Sequence, residues 1–510
     1  MAAPAFTVPP YREYPSIPAL KPGAMAGLKP YVANEKVQEG IGLPGKLVDN
    51  WHDVAIARMG DLLGKYRGLR VFMDSCVHCG ACTDKCHYFI GTGDPKNMPV
   101  ARQELFRSVY RRYFTPAGKL FPKLVGARDL TKEVLDEWFS YFWQCSECRR
   151  CSVFCPYGID TAEVTMAARA ILDTVGYGQK YSNEILGKVT KIGNNLGLPG
   201  PALLDTLQGL EEDVKDATGV DVLFPLDVKG AEILLVTPSA DFFAEPHIES
   251  LIGYAKVFHA AGASWTISSL ASEAGNFGLF TGDYALMKKV AMRIREAAIQ
   301  LGVKRIIVGE CGHAWRVTYS FWNTLIGLGA GGNDPFAIEF QKQLDPSVKQ
   351  PTHICEYTWD LIEKGVLKFD KSLNDHRSIT FHDSCNVARG SRMGDLPGGQ
   401  FEIPRNIVKA VANKFVDMEA STIRETTFCC GGGGGVLTDD LLELRVKGAL
   451  PRMEALQQVA DSNNVNFMAT ICAICKAQFT KVLPYYGFKM NVVGGVHQLV
   501  ATAIVLDGQE

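Results

Sequence analysis

Up to about residue 225 the apolar positions recur at helical spacing, most clearly in PVARQELFRSVYRRYF (99–114) and TKEVLDEWFSYFW (131–143). Large apolar side chains fall three or four places apart there with charged residues between them, which predicts amphipathic helices. From about residue 230 the pattern contracts into short, nearly continuous apolar runs: AEILLVTPS, SWTISS, KRIIVGEC, SITFHDS, KFVDME, NFMATIC and KMNVVGG. Each has the length of a strand buried on both faces. Helical stretches such as DYALMKKVAMRIREAAIQL and DDLLELRVKGALPRMEALQQVA separate them. That alternation predicts an α/β region with mainly parallel strands, following an α-helical region.

The α/β region is internally repeated. EAGNFGLFTGDYALMKKVAMR lies over CCGGGGGVLTDDLLELRVKGA, RIIVGECGHAWR over FMATICAICKAQF, and HICEYTWDLIEKG over GVHQLVATAIVLD. The expected organisation is an extended Pro-rich arm over residues 1–45, a helical domain over 46–225, one α/β copy over 230–370 and a second over 376–510. The arm is read either as a solvated tail or as a strap on a partner subunit.

Composition excludes more than it proposes. The net charge of −2 over 510 residues gives no global basic excess, so nucleic acid is not expected as a partner. Neither an export signal nor an apolar run of about 18 residues is found, so the chain should stay in the cytoplasm without spanning a membrane. Fifteen cysteines in such a chain point to metal rather than to disulfides.

Eight of them form two C-x2-C-x2-C-x3-C runs: Cys76, Cys79, Cys82 and Cys86, then Cys145, Cys148, Cys151 and Cys155. Three thiolates of one loop hold three irons of a cube, and the fourth cysteine of each run serves the other cube. The expected sets are therefore Cys76, Cys79, Cys82 with Cys155, and Cys145, Cys148, Cys151 with Cys86, for two cubane [4Fe-4S] clusters. Zinc is the competing reading of a C-x2-C pair, but duplicated four-cysteine runs suit it poorly. His87 replaces the proline expected after the fourth cysteine, so that turn should differ. Trp143, Arg149 and Arg150 flank the second run and are read as packing and solvated residues.

The second α/β copy carries Cys385, Cys429, Cys430, Cys472 and Cys475 at the carboxyl ends of its predicted strands, where parallel folds place ligands. Five converging thiolates exceed the needs of zinc or of one cube. In the first copy Glu273 and Ala274 take the places of the twin cysteines, so that copy should be scaffold. GLGAGG (327–332) follows a helical stretch and is read as a loop, and CCGGGGG lacks the Lys-Ser/Thr of a phosphate loop.

Together, the two ferredoxin runs followed by C-x43-CC-x41-C-x2-C resemble the catalytic part of heterodisulfide reductases. More narrowly, they resemble the DsrK-type, CCG-domain subunits of membrane-bound DsrMKJOP complexes in dissimilatory sulfur metabolism. The resemblance implies that Cys385, Cys429, Cys430, Cys472 and Cys475 ligate one non-cubane [4Fe-4S] cluster at which a disulfide or trisulfide is reduced or formed. It implies as partners a membrane haem b subunit (DsrM-like), fed by quinol, the other subunits of the complex and the small cysteine-bearing protein DsrC. It further implies a location at the inner face of the cytoplasmic membrane, held there through partners. His382, with Asp383, before Cys385, and His313, with Arg316, after Cys311, are candidates for the cluster mouth, the histidines as proton donors or as hydrogen-bonding supports. The glycine run is expected to leave bare backbone over which a partner's cysteine arm approaches. Two alternatives remain: an electron-transfer subunit of a heterodisulfide reductase or of a lactate, glycolate or glycerol-3-phosphate dehydrogenase, and a zinc-bearing scaffold.

Overall fold

The computed structural model describes residues 24–273, 277–325 and 351–508. Residues 1–23 of the expected arm, Ala274 and the GLGAGG loop lie outside the described residues. Two parallel sheets build the C-terminal half. The first contains β1 (Ile233–Val236), β2 (Trp265–Thr266), β3 (Arg305–Val308) and β4 (Thr352–His353), in the order β2-β1-β3-β4. The second contains β5 (Ile379–His382), β6 (Phe467–Thr470) and β7 (Val493–Gly495), in the order β5-β6-β7. The strands are short and almost wholly buried, because helices cover both faces.

KFVDME was expected as a strand but contributes only one parallel bridge, Phe415 to Ile379. Two residues later Asp417 accepts from Arg405 Nε at 2.9 Å, so the chain leaves the sheet edge for an ion pair. With that bridge counted, the second sheet repeats the order of the first. The unanticipated β4 corresponds to β7.

The two copies are locked reciprocally. The helix after the first strand of each copy, His247–Ala260 and Gly399–Val411, packs against the last helix of the other copy, Val496–Ala503 and Ile354–Glu363. At the first crossing a Cβ on Gly253 would lie 2.1 Å from His497 O, so only glycine permits that approach. One apolar core runs through both sheets. Loops of one copy therefore face the strand ends of the other.

The N-terminal half is helical, with main helices Trp51–Lys65, Pro99–Phe114, Lys132–Phe142 and Thr161–Thr174. Thr131 caps the third by accepting from Val134 N, and Asp160 the fourth by accepting from Ala162 N. Their core, with Phe106 stacked on Trp138 at 5.2 Å, also takes in Val436, Leu441 and Leu444 from beyond the glycine run. Residues 24–45 are not an extended arm. They include the helix Glu35–Gly40 and are strapped to their own chain: Gln144 Nε2 donates to Met25 O and Leu28 O, and Gln38 Nε2 to Gly45 O. Met25 is buried, which supplies the apolar anchor that the Pro-rich composition concealed. Among the described residues no helix is long and apolar enough to cross a membrane.

Candidate metal centres

The two ferredoxin loops share one backbone path. In the first, His78 and Gly80 have φ of 55° and 78°; in the second, Glu147 and Arg149 have φ of 53° and 60°. Three non-glycine residues at positive φ cost on the order of 1 kcal/mol or more each, and such strain persists where the surroundings require it. Wrapping three sulfurs of a tight loop around a cube is such a requirement. Cys76, Cys79, Cys82 and Cys155 line one cavity, and Cys151 lines it too. Cys86, Cys145, Cys148 and Cys151 line a second. The structure thus brings together each set of three with the fourth cysteine of the other run. Arg149 is tied to Asp160, which also caps the helix behind the loop.

Five cysteines meet at the carboxyl edge of the second sheet. Cys385 begins the turn after β5, Cys472 precedes the helix Ala473–Val482 after β6, and Cys475 sits in that helix's first turn. Cys429 and Cys430 arrive on an extended loop, and all five are buried. Cys385 Sγ lies 4.0 Å from Cys429 Sγ. Hydrogen bonds from Cys148, Cys385 and Cys430 pull the Cys429 thiol well below the usual range. Burial opposes ionisation of Cys472, but bonds from Cys475 and His313 bring it down as well. Donation to Cys429, together with burial, pushes Cys385 and Cys430 up, and burial pushes Cys475 up. Five buried sulfurs gathered at one sheet edge, with Cys429 and Cys472 held toward the thiolate, fit a cationic iron-sulfur cluster.

Cys148 belongs to the second ferredoxin cavity, yet its sulfur, that of Cys429 and a ring nitrogen of His87 lie within 4.8 Å of one another. The second ferredoxin centre and the five-cysteine site therefore share a wall. Arg389 holds that wall by donating to Cys148 O at 2.5 Å, to Thr427 O at 2.8 Å and to Glu425 O. His87, flagged only as a departure from proline, bridges Gly448 O at 2.8 Å and Ser146 Oγ at 2.9 Å. It replaces the turn with a tether between the halves of the molecule.

The glycine run is not an open approach for a partner. All five glycines are buried under the helical half. A Cβ on Gly434 would lie 2.6 Å from Ser146 C, one on Gly435 2.9 Å from Trp143 Cζ3, and one on Gly433 3.3 Å from His313 Nε2. Tyr88 Oη donates to Gly431 O at 2.9 Å, Arg169 Nη1 to Gly434 O at 2.7 Å and Gln179 Nε2 to Gly435 O at 2.9 Å. The backbone is bare so that the loop carrying Cys145 and Cys148 can lie directly on it.

Of the two histidines, His313 reaches the sulfurs. It comes from the first copy and puts Nδ1 3.6 Å from Cys472 Sγ. His382 is buried against Phe479 with ring centroids 4.9 Å apart, and burial with Arg452 nearby holds its pKa well below the usual value. Neither of its nitrogens has a hydrogen-bond partner among the described residues. So enclosed, and without a hydrogen-bond partner among the described residues, His382 suits neither the proton-donor nor the hydrogen-bonding role read for it. Asp383 is bound by both Arg405 Nη atoms, at 2.8 and 2.7 Å, and supports the loop. Arg316 Nη1 reaches Asn386 Oδ1 at 3.0 Å, and Asn386 Nδ2 lies 3.6 Å from Cys385 Sγ. Cys311 is buried near Cys472, whereas Cys355 lies deeper. Arg150 stacks on Phe428, with its guanidinium carbon 3.7 Å from the ring centroid, and Trp143 packs against Arg169 in the same way at 3.9 Å.

The same place in the first copy is filled by protein. Ser239 stands where Cys385 does and donates to Glu273, the counterpart of Cys429. Glu310 stands where Cys472 does. It accepts from His497 N and Nδ1, both at 2.8 Å, and pairs with Lys476 Nζ at 3.3 Å. Burial opposes the charge, but Lys476 and His497 hold the Glu310 carboxyl down to about 2. Burial pushes Asp241, 4.0 Å from Lys476, up to about 7, so Glu310 is the ammonium's main counter-charge. Lys476, one residue after Cys475, was missed because a lysine inside a predicted apolar helix carries no motif. Glu310, Cys355 and His497 approach one another closely enough to suggest a metal. The Lys476 ammonium already supplies the cation there.

Residues 72–159 match the 4Fe-4S dicluster domain family, and residues 379–480 match a family described as a cysteine-rich domain, CCG. Among curated proteins, the chain is 45% identical over 487 residues to the Hdr-like menaquinol oxidoreductase iron-sulfur subunit 2 of Archaeoglobus fulgidus, covering 90% of this chain and 85% of that one. It is 44% identical over 486 residues to the corresponding subunit of Archaeoglobus profundus, with 90% and 84% covered. Similarity at 26% over 415 residues extends to one subunit of the dihydromethanophenazine:CoB–CoM heterodisulfide reductase of Methanosarcina acetivorans, covering 79% of this chain and 87% of that one.

Proposed function

This chain belongs to the family of Hdr-like menaquinol oxidoreductase iron-sulfur subunits, and from that premise we propose that it is the catalytic iron-sulfur subunit of a quinol-linked redox complex of dissimilatory sulfur metabolism. Its acceptor is a disulfide or trisulfide of a small DsrC-like protein, and its donor a DsrM-like haem b subunit at the inner face of the cytoplasmic membrane. Cys76, Cys79, Cys82 and Cys155 hold one cubane, and Cys86, Cys145, Cys148 and Cys151 the other. Cys385, Cys429, Cys430, Cys472 and Cys475 hold a non-cubane cluster. Bound there, these groups supply one-electron carriers and an iron that takes sulfur, as the two-electron opening of a disulfide requires.

The observation that carries the reading is the shared wall, with Cys148 of the second cubane set beside Cys429 of the five-cysteine set. That adjacency suits a wire ending at a site of bond chemistry. The chain's own residues do the rest. His313 stands where a departing thiolate needs a proton, Asn386 orients Cys385, and the buried glycine run excludes water from one side of the pocket.

The test uses the full chain, reconstituted anaerobically, with iron content and paramagnetic resonance as readouts. The native chain should hold about twelve irons, and should develop a new paramagnetic signal when oxidised and mixed with a DsrC-like protein bearing its cysteine pair. Cys429→Ser with Cys430→Ser should remove about four irons and that signal while both cubanes remain reducible. If the double variant keeps the signal, or the native chain holds zinc instead of iron, the proposal is wrong. Reducible clusters with no response to the thiol protein would favour the dehydrogenase-type electron carrier instead.

A further inference from the structure

At the far end of the helix Pro99–Phe114, the short helix Pro116–Leu120 and the turn after it form an exposed knob. Three large apolar side chains project from it: Leu120, Phe121 and Leu124 are 71%, 61% and 84% exposed. A floppy loop would bury such residues on itself, but this one is braced. Thr115 Oγ1 caps the short helix at Gly118 N, 3.1 Å away, and a Cβ on Gly118 would lie 1.9 Å from Arg111 O. Arg111 Nη1 donates to Val125 O at 3.1 Å while its guanidinium is fixed by Glu104. The knob therefore holds its apolar tip outward.

The surrounding charge identifies what the tip meets. Residues 105–128 contain six Lys or Arg and no Asp or Glu, in a chain whose net charge is −2. Arg107, Arg111, Arg112 and Arg128 are engaged by Glu104, Asp129 and Glu137. Lys119, just before the apolar residues, and Lys123, between Phe121 and Leu124, are exposed and form no ion pair among the described residues. An exposed apolar tip flanked by two ammonium groups without ion pairs matches the interfacial layer of an anionic bilayer, where apolar side chains enter the acyl boundary and lysines meet headgroup phosphates. Protein-binding surfaces, by contrast, are depleted of lysine.

We propose that Leu120, Phe121 and Leu124, flanked by Lys119 and Lys123, dock this chain directly on an anionic lipid surface, in addition to any hold exerted by membrane subunits. The inference does not depend on the redox assignment. The knob and the first ferredoxin cavity, which Val100 and Gln103 help to line, lie at opposite ends of one sixteen-residue helix. Such a helix is about 24 Å long, so docking would set the height of that cavity above the lipid.

The test is co-sedimentation of the full, cluster-loaded chain with vesicles of phosphatidylglycerol and phosphatidylcholine at 1:1, and with phosphatidylcholine alone. The native chain should bind the anionic vesicles roughly tenfold or more tightly than the neutral ones and should lose that advantage in high salt. Leu120→Ser with Phe121→Ser and Leu124→Ser should abolish binding, and Lys119→Gln with Lys123→Gln should erase the preference for anionic lipid. Unchanged iron content and circular dichroism would establish that the variants are folded. Vesicle binding by the apolar triple variant equal to that of the native chain would overturn the proposal. So would absence of native binding to either vesicle; if the triple variant then also failed to join a purified haem b subunit, the knob would be a protein contact.

Discussion

Gly434→Ala tests whether the glycine run exists to bring the two halves of the molecule together. Gly434 has φ of +64°, and a Cβ there would lie 2.6 Å from Ser146 C and 2.7 Å from Ser146 O. The backbone conformation alone costs alanine on the order of 1 kcal/mol. The clash adds about 1–3 kcal/mol, since the obstructing atoms are backbone of the Cys145–Cys148 loop and cannot swing aside. Any shift also weakens the 2.7 Å bond from Arg169 to Gly434 O, a charge-assisted contact worth roughly 1.5–3 kcal/mol. A total near 3–5 kcal/mol is expected. Gly487→Ala is the control: its φ is +79° with nothing within 4 Å of the added atom, so only about 1 kcal/mol should be lost. Because cluster loss makes unfolding irreversible, the assay compares thermal bleaching midpoints of native and variant chains at one scan rate. Gly434→Ala should shift the midpoint several times further than Gly487→Ala. Equal shifts would refute the close-approach argument and leave only backbone conformation as the reason for glycine.

Lys476→Met should destabilise by about 3–5 kcal/mol, because it strands the buried Glu310 carboxylate; adding Glu310→Gln should recover much of that loss in the same melt, and a double variant no better than the single would sink the assignment of Lys476 as the first copy's internal cation. His353, buried and pulled down to about 3 by burial, stays neutral in the folded chain. Its folded pKa is below the unfolded one, so its contribution is complete above about pH 6.5 and falls by roughly 1.4 kcal/mol per unit below it, about 2 kcal/mol by pH 5. His353→Asn keeps an acceptor for Cys355 N and should flatten that part of the acid limb; a difference between the bleaching midpoints at pH 7 and pH 5 as large as that of the native chain would contradict this. Arg389→Ala removes the three bonds by which Arg389 ties the Cys148 loop to Glu425 and Thr427, and hydrogen exchange should then quicken at 425–430 while 76–82 stays as protected as in the native chain.

Much of the architecture follows from local pattern. Period-3.6 stripes placed the helices, short apolar runs placed six of the seven strands, and self-similarity exposed a repeat that the two sheets repeat in strand order. Cysteine spacing pointed to two fourfold sets, since a tight loop reaches only the irons beside it. The KFVDME run failed as a strand because tertiary ion pairing of Asp417 outweighed β propensity.

What the sequence by itself determined is therefore which residues bear sulfur, where most of the helices and strands lie, and that one copy lacks the twin cysteines. The tertiary structure alone decided who faces whom. No local rule says that Cys148 lies beside Cys429, that His313 of one copy serves Cys472 of the other, or that Lys476 enters the first copy's vacated place. Nor does any local rule say that the glycine run is a seat for the Ser146 backbone rather than a doorway. Those relations join residues scores to hundreds of positions apart. They are set by burial of a common core and close backbone approach, which periodicity and spacing do not record.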